Sequence, residues 1–205
     1  MPTPDLTAVL TPGGPIPPDR AASLRRLADY IRGRRAAGTP ARLLTICTHN
    51  SRRSHFAQVM LAVAADHYGL DGVETYSGGT EATALHPHAV AALRRFGFRV
   101  DAEAAGGDNP IYQIRWRDDR PPYRAWSKVY TAPPNPAAGF AAILVCGAAD
   151  VGCPTVAGAD LRVALPYDDP KAADGTDRVA ETYDARLLTI GREMFEVVRL
   201  ATPRT

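Results

Sequence analysis

The sequence predicts an α/β fold of three layers. A four-stranded parallel sheet carries helices on both faces, extended by an N-terminal helix and a long aromatic and proline-rich insertion. Three observations predict it. Short apolar runs at 42–46, 73–76, 141–145 and 161–165 alternate with helical patterns at 54–68, 87–96 and 177–200. The 205 residues, 45% of them hydrophobic, suffice for one full core. Cys47, Ser77, Cys146 and the Asp168-Asp169 pair fall just past strand ends, where active sites of such sheets lie.

Residues 1–40 read as an N-terminal arm and helix, and 41–205 as the main domain, interrupted by the insertion at 102–140. Residues 1–18 are rich in Pro and Gly and read as an arm without regular structure. Pro18-Asp19 opens a helix to about Arg35, with Leu24, Leu27 and Ile31 at helical spacing and Asp19 placed to cap it. Its arginines read as a solvated outer face. Gly38-Thr39-Pro40 ends it. The 42–46 strand is apolar on both sides, as a central parallel strand must be. The helix at 54–68 places Phe56, Met60, Val63 and Ala64 on one face. The second strand ends at Ser77-Gly78-Gly79. The third helix opens with Pro87 in its first turn and stops at Gly97. The insertion holds Tyr112, Trp116, Tyr123, Trp126 and Tyr130, which argue against disorder; it reads as a covering packed on the core or a substrate lid. The last helix turns Leu187, Ile190, Met194, Val197 and Val198 inward.

A net charge of +2 gives no field for nucleic acid or a membrane surface, and neither is an expected partner. No apolar run reaches bilayer length. Met-Pro-Thr-Pro-Asp lacks the regions of a secretion signal, and three cysteines fit functional thiols in a reducing cytoplasm.

The chemistry concentrates in Cys47-Thr48-His49-Asn50-Ser51-Arg52-Arg53-Ser54. A strand, a tight loop and a helix start in this order turn backbone N–H groups and a helix N-terminus toward one spot, an anion nest. A thiol placed there is stabilised as a thiolate. Arg53 adds a planar fork that matches two oxygens of a tetrahedral oxyanion.

This segment resembles the phosphate loop of the low-molecular-weight protein tyrosine phosphatases and of their relatives, the thioredoxin-coupled arsenate reductases. The resemblance runs from about Arg42 to Ala201, apart from 102–140. It implies Cys47 as nucleophile, the loop from Thr48 through His49, Asn50, Ser51, Arg52 and Arg53 to Ser54 as oxyanion cradle, and Ser77 as loop support. It implies Asp169, directly before Pro170, as the proton donor, with Asp168 as the spare candidate. Cys146 and Cys153 resemble the reductase pair of resolving thiols, with thioredoxin as electron donor and arsenate as substrate. Asn50 and Ser54 are expected to brace the loop. The alternative it implies is a phosphomonoester hydrolase working through a phosphocysteine. Lys171, Ala172 and Ala173 stand where the phosphatases place tyrosines. Gln58 stands where some reductases place a potassium-binding glutamate, so no metal and no bound cofactor are expected. The histidines show no metal-ligand spacing in the sequence.

Overall fold

The computed structural model describes residues 4–11, 14–103, 107–152 and 155–203, with Val151 and Gly152 as backbone. The sequence-predicted resolving thiol Cys153 lies outside them.

The parallel sheet is built from Ala41–Cys47 (β1), Val73–Gly79 (β2), Phe140–Leu144 (β6) and Ala159–Ala164 (β7), in the order β2-β1-β6-β7. Helices Pro18–Ala36 (α2), Arg53–His67 (α3), Pro87–Arg95 (α4) and Val179–Ala201 (α6) complete a three-layer α/β fold, with the short α5, Gly147–Gly152, after β6. The chain runs from β1 to one neighbour, β2, and later returns to the other side as β6. The strand order therefore reverses between β1 and β6, and the crevice at their carboxyl ends is where such sheets form sites. Cys47 ends β1 and Cys146 follows β6, so the two thiols flank that crevice.

Helix α3 is buried on nearly every side, not on the single face its pattern predicts. Every residue from Ser54 through Leu61 is enclosed. The helix packs between β2 and α6.

Three expectations are corrected. The N-terminal arm forms a one-turn helix, Thr7–Leu10 (α1), because Val9 inserts against Gly191 of α6. Asp19 does not cap α2; Pro17 holds that position without a side-chain bond, and Asp19 sits in the first turn, where its charge complements the helix dipole. The arginines of α2 are not merely solvated. Arg20 bonds Glu193 at 2.5 Å, and Arg32 and Arg35 donate to the carbonyls of Leu200 and Asp71 at 2.6 and 2.9 Å.

The insertion is no structureless loop. Arg99–Ala102 (β3), Tyr112–Arg115 (β4) and Tyr123–Ala125 (β5) form an antiparallel sheet in the order β3-β4-β5. Val100, Ile114 and Ala125 point inward while Arg99 and Asp101 face solvent. This is a period of two, in strands too short to announce it. Trp116 donates its ring N–H to Asp66 of α3 at 2.8 Å, which seats the sheet on the core.

Candidate active site

Between the end of β1 and the start of α3 the chain turns through residues 48–52. Cys47 O accepts from Thr80 N at 3.1 Å, Thr48 O from Glu81 N at 2.8 Å and Ser51 O from His86 N at 2.9 Å. His49 O accepts the Ser127 hydroxyl at 2.9 Å, and Asn50 O faces His55 Nε2 at 2.9 Å. Every carbonyl from Cys47 to Ser51 is thus held from outside the loop. The amides of residues 48–52 find no acceptor among the described residues. Carbonyls fastened outward and amides left without partners make a concave set of donors, the nest that favours an anion.

The loop is held open from behind. Asn50 has φ 45°, a left-handed conformation that Asn tolerates better than most residues. Its Nδ2 donates to Ser54 Oγ at 2.9 Å, and its Oδ1 accepts Lys128 N at 3.0 Å. Since Ser54 Oγ accepts from Asn50, its own proton is free for Cys47 Sγ, 3.1 Å away. Gly79 lies directly against the loop: a Cβ there would stand 2.5 Å from Thr48 O and 2.7 Å from Asn50 N. A larger residue at 79 would displace the nest.

Ser77, expected to support the loop, makes no direct hydrogen bond to it. It acts through His55, which is fully buried. Asn50 O can only accept, so His55 Nε2 carries the proton, and Nδ1 is left to accept from Ser77 Oγ at 3.4 Å. Burial, and after it the nearby Lys128 ammonium, lowers the His55 pKa to about 3. The unfolded chain takes up this proton near pH 6.5, the folded chain only near 3, so stability is lost as pH falls between those values. Between pH 7.5 and 5 this linkage is expected to remove about 2 kcal/mol, seen as a falling urea midpoint. His55→Gln, which keeps a donor to Asn50 O, should flatten that slope; an unchanged slope would contradict the assignment.

Arg53 opens α3 with its guanidinium turned to the loop after β7. It donates to Tyr167 O at 2.8 Å and to Asp169 Oδ2 at 2.5 Å. Asp169 also caps the turn Pro170–Ala173 through Lys171 N at 3.1 Å. Asp168, the spare candidate, faces solvent beside Arg186. Tyr167 anchors this loop inside: its hydroxyl donates to Glu193 at 2.6 Å, and Arg20 lies over its ring at 4.5 Å. The N-terminal helix therefore helps to fix the segment bearing Asp169, a link with no sequence signal.

The Arg52 side chain leaves the nest. It donates to Tyr183 Oη at 2.7 Å and to Asp174 at 3.0 Å. His49 lies at the rim, 3.6 Å from Glu81. Cys146 is buried beside the nest, its Sγ 3.5 Å from Thr48 Oγ1 and 3.3 Å from Ala149 N. The insertion supplies the brace that sequence reasoning missed. Lys128 O accepts Gly79 N at 2.9 Å and Gly79 O accepts Tyr130 N at 2.8 Å, so residues 127–130 clasp β2 and the loop from behind. Gln58 Nε2 contacts Thr75 O and Tyr123 Oη.

No helix among the described residues is long and apolar enough to cross a membrane. No curated protein matches the chain. Two solved phosphatases share its fold. The low molecular weight phosphotyrosine phosphatase of Vibrio cholerae is 14% identical, covering 78% of this chain and 94% of its own, at TM-score 0.50. The low molecular weight protein tyrosine phosphatase of T. tengcongensis is 16% identical, covering 78% and 97%, also at 0.50. A Corynebacterium glutamicum thioredoxin-dependent arsenate reductase is 23% identical over 89% of this chain and 71% of its own, at 0.45. Residues 42–111, from β1 through the nest and α4 to the edge of β4, match the low molecular weight phosphotyrosine protein phosphatase family. The nest of β1–α3 thus lies inside the segment similar to the low molecular weight phosphotyrosine protein phosphatase family, and the chain shares the fold of the two solved phosphatases.

Proposed function

We propose that the chain reduces arsenate to arsenite through the Cys47 thiolate. The observation that supports this reading is the ring of amides around Cys47 that meet no acceptor among the described residues, with a second buried thiol, Cys146, beside Thr48. The amides of residues 48–54 and the Arg53 fork hold the oxyanion, and Ser54 donates to the sulfur. A tetrahedral oxyanion competes with Asp169 for Arg53, which frees that carboxyl to deliver a proton to the departing oxygen. Sulfur–arsenic bond formation releases water. Cys146 thiolate then attacks Cys47 Sγ; the sulfur–arsenic electron pair stays on arsenic, arsenite leaves, and a Cys47–Cys146 disulfide forms. Cys153 attacks Cys146, freeing Cys47, and thioredoxin reduces the final disulfide.

A second reading, hydrolysis of a phosphomonoester through a phosphocysteine on Cys47, is favoured by the family match over residues 42–111. The two readings share the first step and part at Cys146. Cys146→Ser is expected to form one arsenate adduct on Cys47 per chain and to stall there, releasing no arsenite, because the thiol that takes the place of arsenic on sulfur is gone. Rapid-quench measurement of arsenite against enzyme concentration checks this. Sustained arsenate turnover in the variant would exclude the relay, and sustained release of phosphate from para-nitrophenyl phosphate by both proteins would favour the hydrolase.

A further inference from the structure

Behind the nest, His86, His88 and Asp174 converge, their ligand atoms within 4.8 Å of one another. His86 and His88 flank Pro87 at the start of α4; Asp174 follows the Pro170–Ala173 turn. We propose that these three residues bind a divalent transition metal ion of the zinc class, independently of which reaction Cys47 performs.

Two imidazoles and one carboxylate form a donor set suited to zinc or cobalt. His86 Nε2 and Asp174 Oδ2 lie 3.7 Å apart. Two metal–ligand bonds of ordinary length span about 3.4 Å at a tetrahedral angle and about 4.1 Å in line, so this pair can hold one ion without moving. His88 is half-buried on the first turn of a helix with a ring nitrogen within 4.8 Å of the other two ligand atoms, and a shift of its side chain would close the third bond. A fourth position is left for water.

The surroundings supply a second shell. A metal on Nε2 of His86 places the ring proton on Nδ1, where the Tyr183 oxygen, 3.4 Å away, accepts it. The long 3.3 Å contact from His88 N to that nitrogen is given up. Tyr183 also donates to Asp174 Oδ1 at 2.7 Å, which orients the other carboxylate oxygen toward the ion.

One group opposes the metal. The Arg52 guanidinium lies 3.0 Å from the same Asp174 oxygen and carries a positive charge. An ion and Arg52 therefore compete for one carboxylate. Arg52 sits between Ser51 and Arg53 in the nest, so occupancy of this site loosens one of its two outer bonds and leaves the other, to Tyr183 Oη, in place. The site is thereby placed to report metal to the oxyanion loop.

The test is titration of the full chain with cobalt(II) and zinc(II), followed by calorimetry and visible absorption. One ion per chain is expected, with cobalt bands of nitrogen and oxygen ligation and no near-ultraviolet sulfur-to-cobalt bands. His88→Ala and Asp174→Asn should each weaken binding at least tenfold, and Arg52→Gln, which removes the competing charge, should strengthen it. Equal affinity in His88→Ala, or cobalt spectra dominated by sulfur ligation at the cysteines, would overturn the proposal.

Discussion

Replacing Cys47 with serine is expected to lower turnover by about 10,000-fold or more while leaving oxyanion affinity within a few-fold of the parent. The change swaps one atom and spares the cradle. The amides of residues 48–52 keep their orientation, because the outward carbonyls are held by Thr80, Glu81, Ser127, His55 and His86. Asn50 still fixes Ser54, whose proton still points at residue 47. What is lost is the nucleophile: a serine hydroxyl is a far weaker nucleophile than a cysteine sulfur, and no described base faces it. Single-turnover assays with arsenate and with para-nitrophenyl phosphate measure the rate, and calorimetry with phosphate measures the binding. A variant that keeps more than about a hundredth of the parent rate would mean that another group attacks.

Arg53→Ala should have the opposite profile, sparing the sulfur and removing the grip. The loss in kcat/KM is expected at about 100- to 1,000-fold, carried mainly by weaker oxyanion binding. The guanidinium is largely buried, so its attraction for an anion is little screened. Its fork also links the nest to the loop bearing Asp169, through Tyr167 O and the carboxylate itself. Alanine takes the Arg53 donor from Tyr167 O and leaves Asp169 only its bond from Lys171 N, so a modest fall in thermal stability accompanies the loss. Arg53→Lys should recover only part of the activity, because a point charge cannot match two oxygens at once. Phosphate binding as tight in Arg53→Ala as in the parent would remove Arg53 from the site.

The parallel sheet is legible in the sequence because β1 and β6 are central strands, and burial on both faces leaves apolar runs such as Phe140 to Leu144. The loop after β1 is legible because the nest needs its residues consecutively: Asn50 for the left-handed turn, Ser54 for the sulfur, Arg53 at the helix start. The insertion is not. Its strands are three or four residues long, and its main contribution, residues 127–130 against Gly79, is made by backbone atoms that any sequence carries. Sequence places Ser77 one link too close to the loop, because the intervening group, His55, lies 22 positions away in the chain and carries no spacing signal. The same holds for Asp174, which meets His86 and His88 only once α4 and the Pro170–Ala173 turn have packed. Arg20, which its neighbours make look like part of a solvated face, is drawn inward by Glu193 on α6, a partner 173 residues distant.

The most direct measurement is a crystal structure of the chain grown with orthovanadate or sulfate. The account predicts a tetrahedral or trigonal anion within hydrogen-bonding distance of the amides of residues 48–52, gripped by both Arg53 nitrogens and facing Cys47 Sγ, with Asp169 released from the guanidinium. An anion found elsewhere, with the Cys47 sulfur turned into the core and the loop amides paired to protein oxygens, would contradict it.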